Sequence, residues 1–397
     1  MKKPIYLDNQ ATTPVDPIVM DKMLPFFQEH FGNPASVHHF YGRKAKEAVE
    51  SSRVILAKGI NASSREIIFT SGATEAINLA IKGAAENYED QGKHIITQAT
   101  EHKAVLDTCK ALEKKGWEIT ILPVNSKGNV DPRSILNAIN DDTILVAIMH
   151  ANNEIGTIQP IKEIGAICQD KNIIFMVDAC QTFGKITIDV EKMNIDLLAA
   201  TSHKIYGPKG IGFLYIRQKQ PKINLKMQID GGGHERGFRS GTLSVPLIVG
   251  FGKAYQIMEY SKDEENNYLM GLRDRLKQGI ARINPEVMVN GDPDNCLPHN
   301  LNLCFPGLDG ETLIMRMKGI ACSMGSACSG QNLEPSHVIK AIGRETELSH
   351  SAIRFSLGRF NSEDDIDMAL LEINDVVSHL KKKKNVRKNN ILSGHQF

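Results

Sequence analysis

No stretch of this sequence stays apolar and uncharged for anything near the roughly 18 residues that a membrane-spanning helix requires. The apolar runs are short and strand-like, as from Ile144 to Met149, so a soluble protein with no membrane partner is expected. Net charge is equally scarce. Lys and Arg number 47 against 46 Asp and Glu, leaving +1, which provides no global field for nucleic acid or an anionic surface; partners must be recognised locally. Cysteine is sparse too. The seven cysteines are scattered, odd in number and free of any Cys-x-x-Cys pair, which excludes a disulfide framework and a paired-cysteine metal site and fits a reducing compartment. The start, Met1-Lys2-Lys3-Pro4, has neither the apolar run of an export signal nor the Arg-rich pattern of a transit peptide, and a cytoplasmic location is expected. Internal repeats and low-complexity segments are also missing.

What is present is alternation. From about residue 45 to 255, amphipathic stretches alternate with short β-branched runs at Ile67 to Phe69, Ile95-Ile96, Ile119 to Leu122, Ile144 to Met149, Ile173 to Val177 and Leu197 to Ala200. That pattern predicts an α/β domain with a mainly parallel sheet. Past about residue 260 it changes to a helix at Asn267 to Ile283, short strands near Val287 to Val289 and Leu301 to Cys304, and a final helix, as in a smaller α+β domain. The final helix is capped by Ser362, carries Glu363, Asp364 and Asp365 in its first turn, presents Ile366, Leu370, Ile373, Val377 and Leu380 as one stripe, and is closed by Lys381 to Lys384. That lysine cluster reads best as a solvated, dipole-compensating end.

In open α/β sheets, ligands gather at the carboxyl ends of the strands, and polar residues with chemical capacity follow nearly every run. Lys204, in Thr201-Ser202-His203-Lys204, follows Leu197 to Ala200; its amine suits an imine with an aldehyde while Thr201, Ser202 and His203 suit a phosphate. Asp178 ends another run, where a carboxylate needs a cation such as a ring nitrogen, and Gln181 lies within reach of a ring hydroxyl. An aspartate capping the next helix accounts for Asp178 equally well. Ser71-Gly72-Ala73-Thr74-Glu75 opens a helix, where free amides favour a phosphate. His102 and Asn153 follow two further strands and are candidates for proton transfer and for orienting a ring hydroxyl or substrate. Arg354, a cation in an otherwise apolar run, suits a substrate carboxylate or else a structural one. Cys328 lies in a small-residue stretch with Cys322, Gly325, Ser326 and Ala327, as in an accessible loop.

With these motifs together the chain resembles the cysteine desulfurases of the iron-sulfur-assembly type (IscS/NifS-like), in the class-V aminotransferase family of fold-type I. The resemblance runs from Tyr6-Leu7-Asp8-Asn9-Gln10-Ala11-Thr12-Thr13-Pro14 to about Arg359. It passes through Gly32-Asn33-Pro34-Ala35-Ser36, Thr100-Glu101-His102-Lys103, Asn152-Asn153-Glu154, Gly231-Gly232-Gly233-His234-Glu235-Arg236-Gly237, Arg239-Ser240-Gly241-Thr242 and the Cys328 segment through Leu333-Glu334-Pro335-Ser336. It implies a large domain at 14–260 with a mainly parallel seven-stranded sheet, and a small α+β domain made of 1–13 and 261–384. A mobile catalytic loop is implied around 322–334 and a flexible tail at 385–397.

The resemblance further implies pyridoxal 5′-phosphate as cofactor, held by Lys204, with His102 stacked on the ring, Asp178 and Gln181 at the ring nitrogen and hydroxyl, and Ala73, Thr74, Thr201, Ser202 and His203 around the phosphate. Thr242 is expected to reach the phosphate of a neighbouring subunit, hence a homodimer. L-Cysteine would be held by Arg354 and Asn153, its thiol would lose a proton to His102, and its sulfur would pass to Cys328 as a persulfide, leaving alanine. Acceptors would include an iron-sulfur scaffold protein and tRNA-thiolation proteins; no metal is intrinsic, although Cys328 can ligate a cluster transiently with a scaffold. The chain departs from the family pattern at Thr201-Ser202, where Ser-Gly is usual, at Cys180, where Thr is usual, at the additional thiol Cys322, and in Asn385 to Phe397, which lacks a recognisable scaffold-binding segment. Selenocysteine or cystine lyases of the same fold, and a catalytically idle sulfur-relay subunit, are the competing readings; the Cys328 segment argues against the first and the intact Lys204, Asp178 and His102 against the second.

Overall fold

The computed structural model describes residues 3–324 and 335–393. Twelve strands are described, in chain order β1 (Ile5–Tyr6), β2 (Ile67–Thr70), β3 (His94–Gln98), β4 (Glu118–Leu122), β5 (Thr143–Met149), β6 (Ile174–Asp178), β7 (Leu197–Thr201), β8 (Gly212–Ile216), β9 (Met288–Val289), β10 (Asn300–Cys304), β11 (Ile320–Ala321) and β12 (Ala352–Ser356). Seven form one sheet in the order β2-β8-β7-β6-β5-β3-β4. Every pairing in it is parallel except the two made by β8.

Apart from the edge strand β4, the strands are buried on both faces, and the period of two distributes their side chains between two apolar layers. Phe69, Val146, Ile148, Phe175, Val177 and Phe213 pack on one side with Val49 and Leu56 of the helix Phe40–Lys58 and with Phe251 and Tyr255. Their alternates Ile68, Leu145, Met176 and Leu214 pack on the other with the helices Ala73–Asn87 and Lys103–Glu113. Each such fully buried side chain contributes about 1.5–3 kcal/mol relative to exposure.

Six of the seven strands coincide with runs read from the sequence. The seventh, β8, was not among them, because it is an antiparallel return from β7 and stands outside the strand-helix alternation. A second correction concerns the helix expected at Asn267 to Ile283, which begins at Val245 and runs unbroken to Ile283. Its buried residues from Val245 to Met258 belong to the first apolar layer, and Leu269, Leu272, Leu276 and Ile280 belong to a separate core with Leu301, Leu303, Phe355, Ile366 and Ile373. The polar stretch between them reads as a boundary only because the stripe changes partner there. The last helix spans Glu363–Ser393 and continues past the lysines that were expected to close it; it contains no glycine or proline to break it. Ser362 caps its start as expected, accepting from the Asp365 amide at 3.2 Å while Asp365 accepts from the Ser362 amide at 3.0 Å. The three-stranded sheet β12-β10-β9 and the pair β1-β11 complete the fold.

Candidate active site

The carboxyl ends of β5, β6 and β7 and the amino end of the helix Ala73–Asn87 surround a cavity of about 580 Å³. Of the residues singled out in the sequence, Ala73, Thr74, His102, Asn153, Asp178, Gln181, Thr201, His203, Lys204 and Arg354 all lie on its wall. Residues that follow five different strands of the sheet, from Ala73 to Lys204, thus line one cavity, and Arg354 joins them from within β12.

Lys204 follows β7 in a short turn. Its Nζ donates to the carbonyl oxygens of Gln10 and of Ala11, the latter at 2.8 Å. Asp178, the last residue of β6, is buried, and one carboxylate oxygen accepts from the Cys180 amide at 2.9 Å. Gln181 donates from Nε2 to the Gln10 carbonyl at 3.2 Å, which leaves its buried Oε1 without a partner among the described residues. His102 caps the helix Lys103–Glu113, its Nδ1 accepting from the Ala104 amide at 3.1 Å. A neutral imidazole in that arrangement carries its proton on Nε2.

The helix Ala73–Asn87 presents its first amides to the cavity, an arrangement suited to an anion. Glu75 stands in that first turn. Burial works against its charge, but Arg239, at 2.8 and 3.3 Å, and the Ser71 amide, at 2.8 Å, more than offset this and hold the carboxyl below its usual range. The Arg239 guanidinium thus balances a carboxylate that would otherwise repel a phosphate. Across the cavity, burial pushes the His203 imidazole down to about 4, with Lys204, Lys209 and Lys185 adding to the effect. His203 is therefore neutral near pH 7 and its Nδ1 pairs with Thr12 Oγ1 at 3.1 Å.

Arg354 is buried in β12 and already well engaged. Nη2 donates to Asp8 at 2.7 Å and to Ser323 Oγ at 2.8 Å, and Nη1 donates to the Asn153 carbonyl at 2.7 Å. The structural carboxylate for it is thus Asp8, while Arg354 itself lies on the cavity wall.

Two residues stand off the cavity. Ser202 is fully buried, its Oγ lying where a Cβ on Gly207 would come within 2.0 Å of it, and it is not on the wall. The strand ends at Thr201, on the cavity side, and Ser202 opens the 3-10 turn Ser202–Lys204, which carries its side chain into the protein. Thr242 is exposed and also lies off this wall. Cys328 and the rest of Gly325 to Glu334 lie outside the described residues. Cys322, by contrast, is partly buried beside the small core, and burial pushes its thiol up to about 12. Residues that the sequence did not single out are Gln10, Ala11, Thr12 and Lys209, all on the wall. The only sequence signal for the first three was membership of the Asn9-Gln10-Ala11-Thr12-Thr13 motif.

Comparison with known proteins identifies the family. The class-V aminotransferase family profile matches residues 5–369. Cysteine desulfurase IscS of Vibrio vulnificus is 52% identical over 383 residues, covering 96% of this chain and 94% of that protein. The IscS cysteine desulfurase of Methylococcus capsulatus is 52% identical over 382 residues, with the same coverage of each chain. Among solved structures, a NifS-like protein superposes with a TM-score of 0.88 at 38% identity, covering 95% of this chain and 100% of the other. SspA in complex with cysteine superposes with a TM-score of 0.79 at 37% identity, covering 90% and 99%.

Proposed function

The chain belongs to the class-V aminotransferase family, in its cysteine desulfurase branch, and from that membership we propose a role for each residue on the cavity wall. The observation that carries the reading is the convergence of Lys204, Asp178, His102 and a helix amino end on one cavity. Pyridoxal 5′-phosphate fits this donor set: a lysine amine at a strand end, a buried carboxylate for the ring nitrogen, helix amides for the phosphate, and the unpartnered Gln181 Oε1 to accept from a ring hydroxyl. When bound, the cofactor supplies an aldehyde for amines and a ring that withdraws electrons from the substrate Cα.

Lys204 would hold the cofactor through Nζ and would move the proton at the substrate Cα. Asp178 keeps a proton on the ring nitrogen. Ala73, Thr74, Thr201 and the neutral His203 bind the phosphate. His102 would lie against the ring and take the proton from the substrate thiol, for which its Nδ1 would give up the Ala104 amide. Arg354 and Asn153 orient L-cysteine. The Cys328 thiolate then forms a bond to the substrate sulfur, the carbon-sulfur bond breaks with its electron pair left on the carbon fragment, and protonation gives alanine. Cys322, with its thiol pushed up to about 12, stays protonated at neutral pH and is a poor competitor for this step.

A homodimer completes the site through Thr242 of a second copy. The segment from Ile18 to Tyr41 exposes a run of large apolar residues that includes Phe27, Phe31 and Phe40, a surface suited to burial between two copies. The persulfide passes to a cluster scaffold protein and to tRNA-thiolation proteins in the cytoplasm; among the described residues no helix is long and apolar enough to cross a membrane.

The test is direct. The holoenzyme is incubated with L-cysteine, alanine is measured, persulfides are trapped by alkylation and mapped by mass spectrometry, and borohydride reduction locates the cofactor. Alanine release, a persulfide on Cys328 and a reduced adduct on Lys204 are expected. Cys328→Ser should abolish alanine release and Cys322→Ser should spare it. Normal turnover in Cys328→Ser, with the persulfide on Cys322, overturns the assignment.

A further inference from the structure

Gln10 is fully buried on the cavity wall, and the orientation of its side-chain amide is determined by its neighbours. Asn300 Nδ2 lies 2.6 Å from Gln10 Oε1 and 2.9 Å from the carbonyl oxygen of Glu154. A carbonyl oxygen only accepts, so the Asn300 atom is the nitrogen and the Gln10 atom facing it is the oxygen. The atom left over is the donor Nε2, and among the described residues it has no hydrogen-bond partner. Buried N–H groups without an acceptor are costly and rare, so this one calls for a ligand.

Arg354 has a matching remainder. With Nη1 and Nη2 engaged by Asn153, Asp8 and Ser323, its buried Nε is without a partner among the described residues. Gln10 and Arg354 both line the cavity. The Gln10 main-chain N–H donates to Ser356 Oγ at 2.9 Å, two positions along β12 from Arg354 and on the same face, while Asp8 pairs with Arg354 itself. Asp8 also offsets part of the guanidinium charge, so Arg354 alone is a weaker anchor for an anion than an unpaired arginine. A second donor that brings its own N–H makes up the difference.

We propose that Gln10 Nε2 is a substrate-binding donor that, with Arg354, holds the α-carboxylate of cysteine and so sets the preference for an α-amino acid over the corresponding amine. This rests on the desulfurase reading above and adds to it a residue from the amino-terminal segment. The main chain of Gln10 meanwhile accepts from Lys204 and Gln181, so one residue touches both the cofactor-holding lysine and the carboxylate subsite.

The experiment uses the holoenzyme and its Gln10→Met, Gln10→Asn and Gln10→Glu variants. Binding of L-alanine and of ethylamine, which lacks the carboxylate, is followed through the absorption of the bound cofactor, and L-cysteine turnover is measured in parallel. Gln10→Met is expected to weaken alanine binding and raise the cysteine KM by about tenfold or more, with kcat and ethylamine binding held within about twofold. Gln10→Asn, whose amide is shorter by one methylene, should behave as Gln10→Met does and serves where Met disturbs the fold; Gln10→Glu, which sets a charge against the carboxylate, should weaken alanine further. Equal weakening of alanine and ethylamine, or unchanged alanine binding, overturns the proposal while the desulfurase reading stands. A wild-type enzyme that releases no alanine from cysteine overturns both.

Discussion

At the scale of single residues, Glu101 shows how burial next to the site converts into pH dependence. It is fully buried between the ends of β3 and β5, with Oε1 accepting from the Met149 amide at 2.6 Å and from Gln98 at 2.9 Å. Burial pushes its carboxyl up to about 8, with the charge of Asp178 adding to the effect. A carboxyl raised from 4.5 to about 8 binds more protons folded than unfolded throughout that interval, so its contribution is complete below the lower value and is lost as pH rises toward the upper one. Glu101→Gln keeps an oxygen for Met149 and cannot ionise. The melting temperature of the wild type should fall relative to that of Glu101→Gln, by several degrees, as pH is raised from about 5 to about 8.5. Parallel curves for the two proteins would show that Glu101 ionises without cost.

Among the elements, the helix Ile161–Asp170 carries a glycine that propensity alone would replace. Exchanging a helical glycine for alanine ordinarily stabilises by about 1 kcal/mol. At Gly165, however, a Cβ would lie 1.9 Å from the carbonyl oxygen of Met193, and that contact is with main chain that cannot rotate away. Gly165→Ala should therefore lower stability by about 1–3 kcal/mol, read as a lower urea midpoint with an unchanged slope. A higher midpoint would mean that the Met193 segment yields freely. The same reasoning explains why the helix Val245–Ile283 was read short: its stripe is interrupted where it passes from one core to another, although its backbone is continuous.

For the whole molecule, the decisive feature is the apolar surface of the amino-terminal segment. Phe31 is 65% exposed and Phe27 55% exposed, while a net charge of +1 gives little repulsion between copies. If this face is closed by a second copy that lends Thr242 to the cavity, disrupting it should cost both assembly and catalysis. Sedimentation of the wild type should report two 43.9 kDa chains. Phe27→Asp combined with Phe31→Asp should sediment as one chain, lose cofactor on dilution and release less alanine. A doubly substituted protein that remains dimeric and fully active would place the contact elsewhere.

The sequence by itself determined which polar residues would meet at the strand ends. Lys204, Asp178, His102 and the helix start at Ala73 were legible because a β-branched run followed by polar residues is a local pattern, and parallel strands bring their carboxyl ends to one edge of the sheet. Tertiary structure alone decided the rest. It turned Ser202 into the core and Thr201 toward the cavity, inserted β8 against its neighbours, paired Arg354 with Asp8, and joined the main chain of Gln10 to Lys204 and to Ser356 of β12. Those contacts join residues up to 346 positions apart, and no local periodicity encodes them. They follow from which buried donors and acceptors must be satisfied once the sheet has brought the segments together.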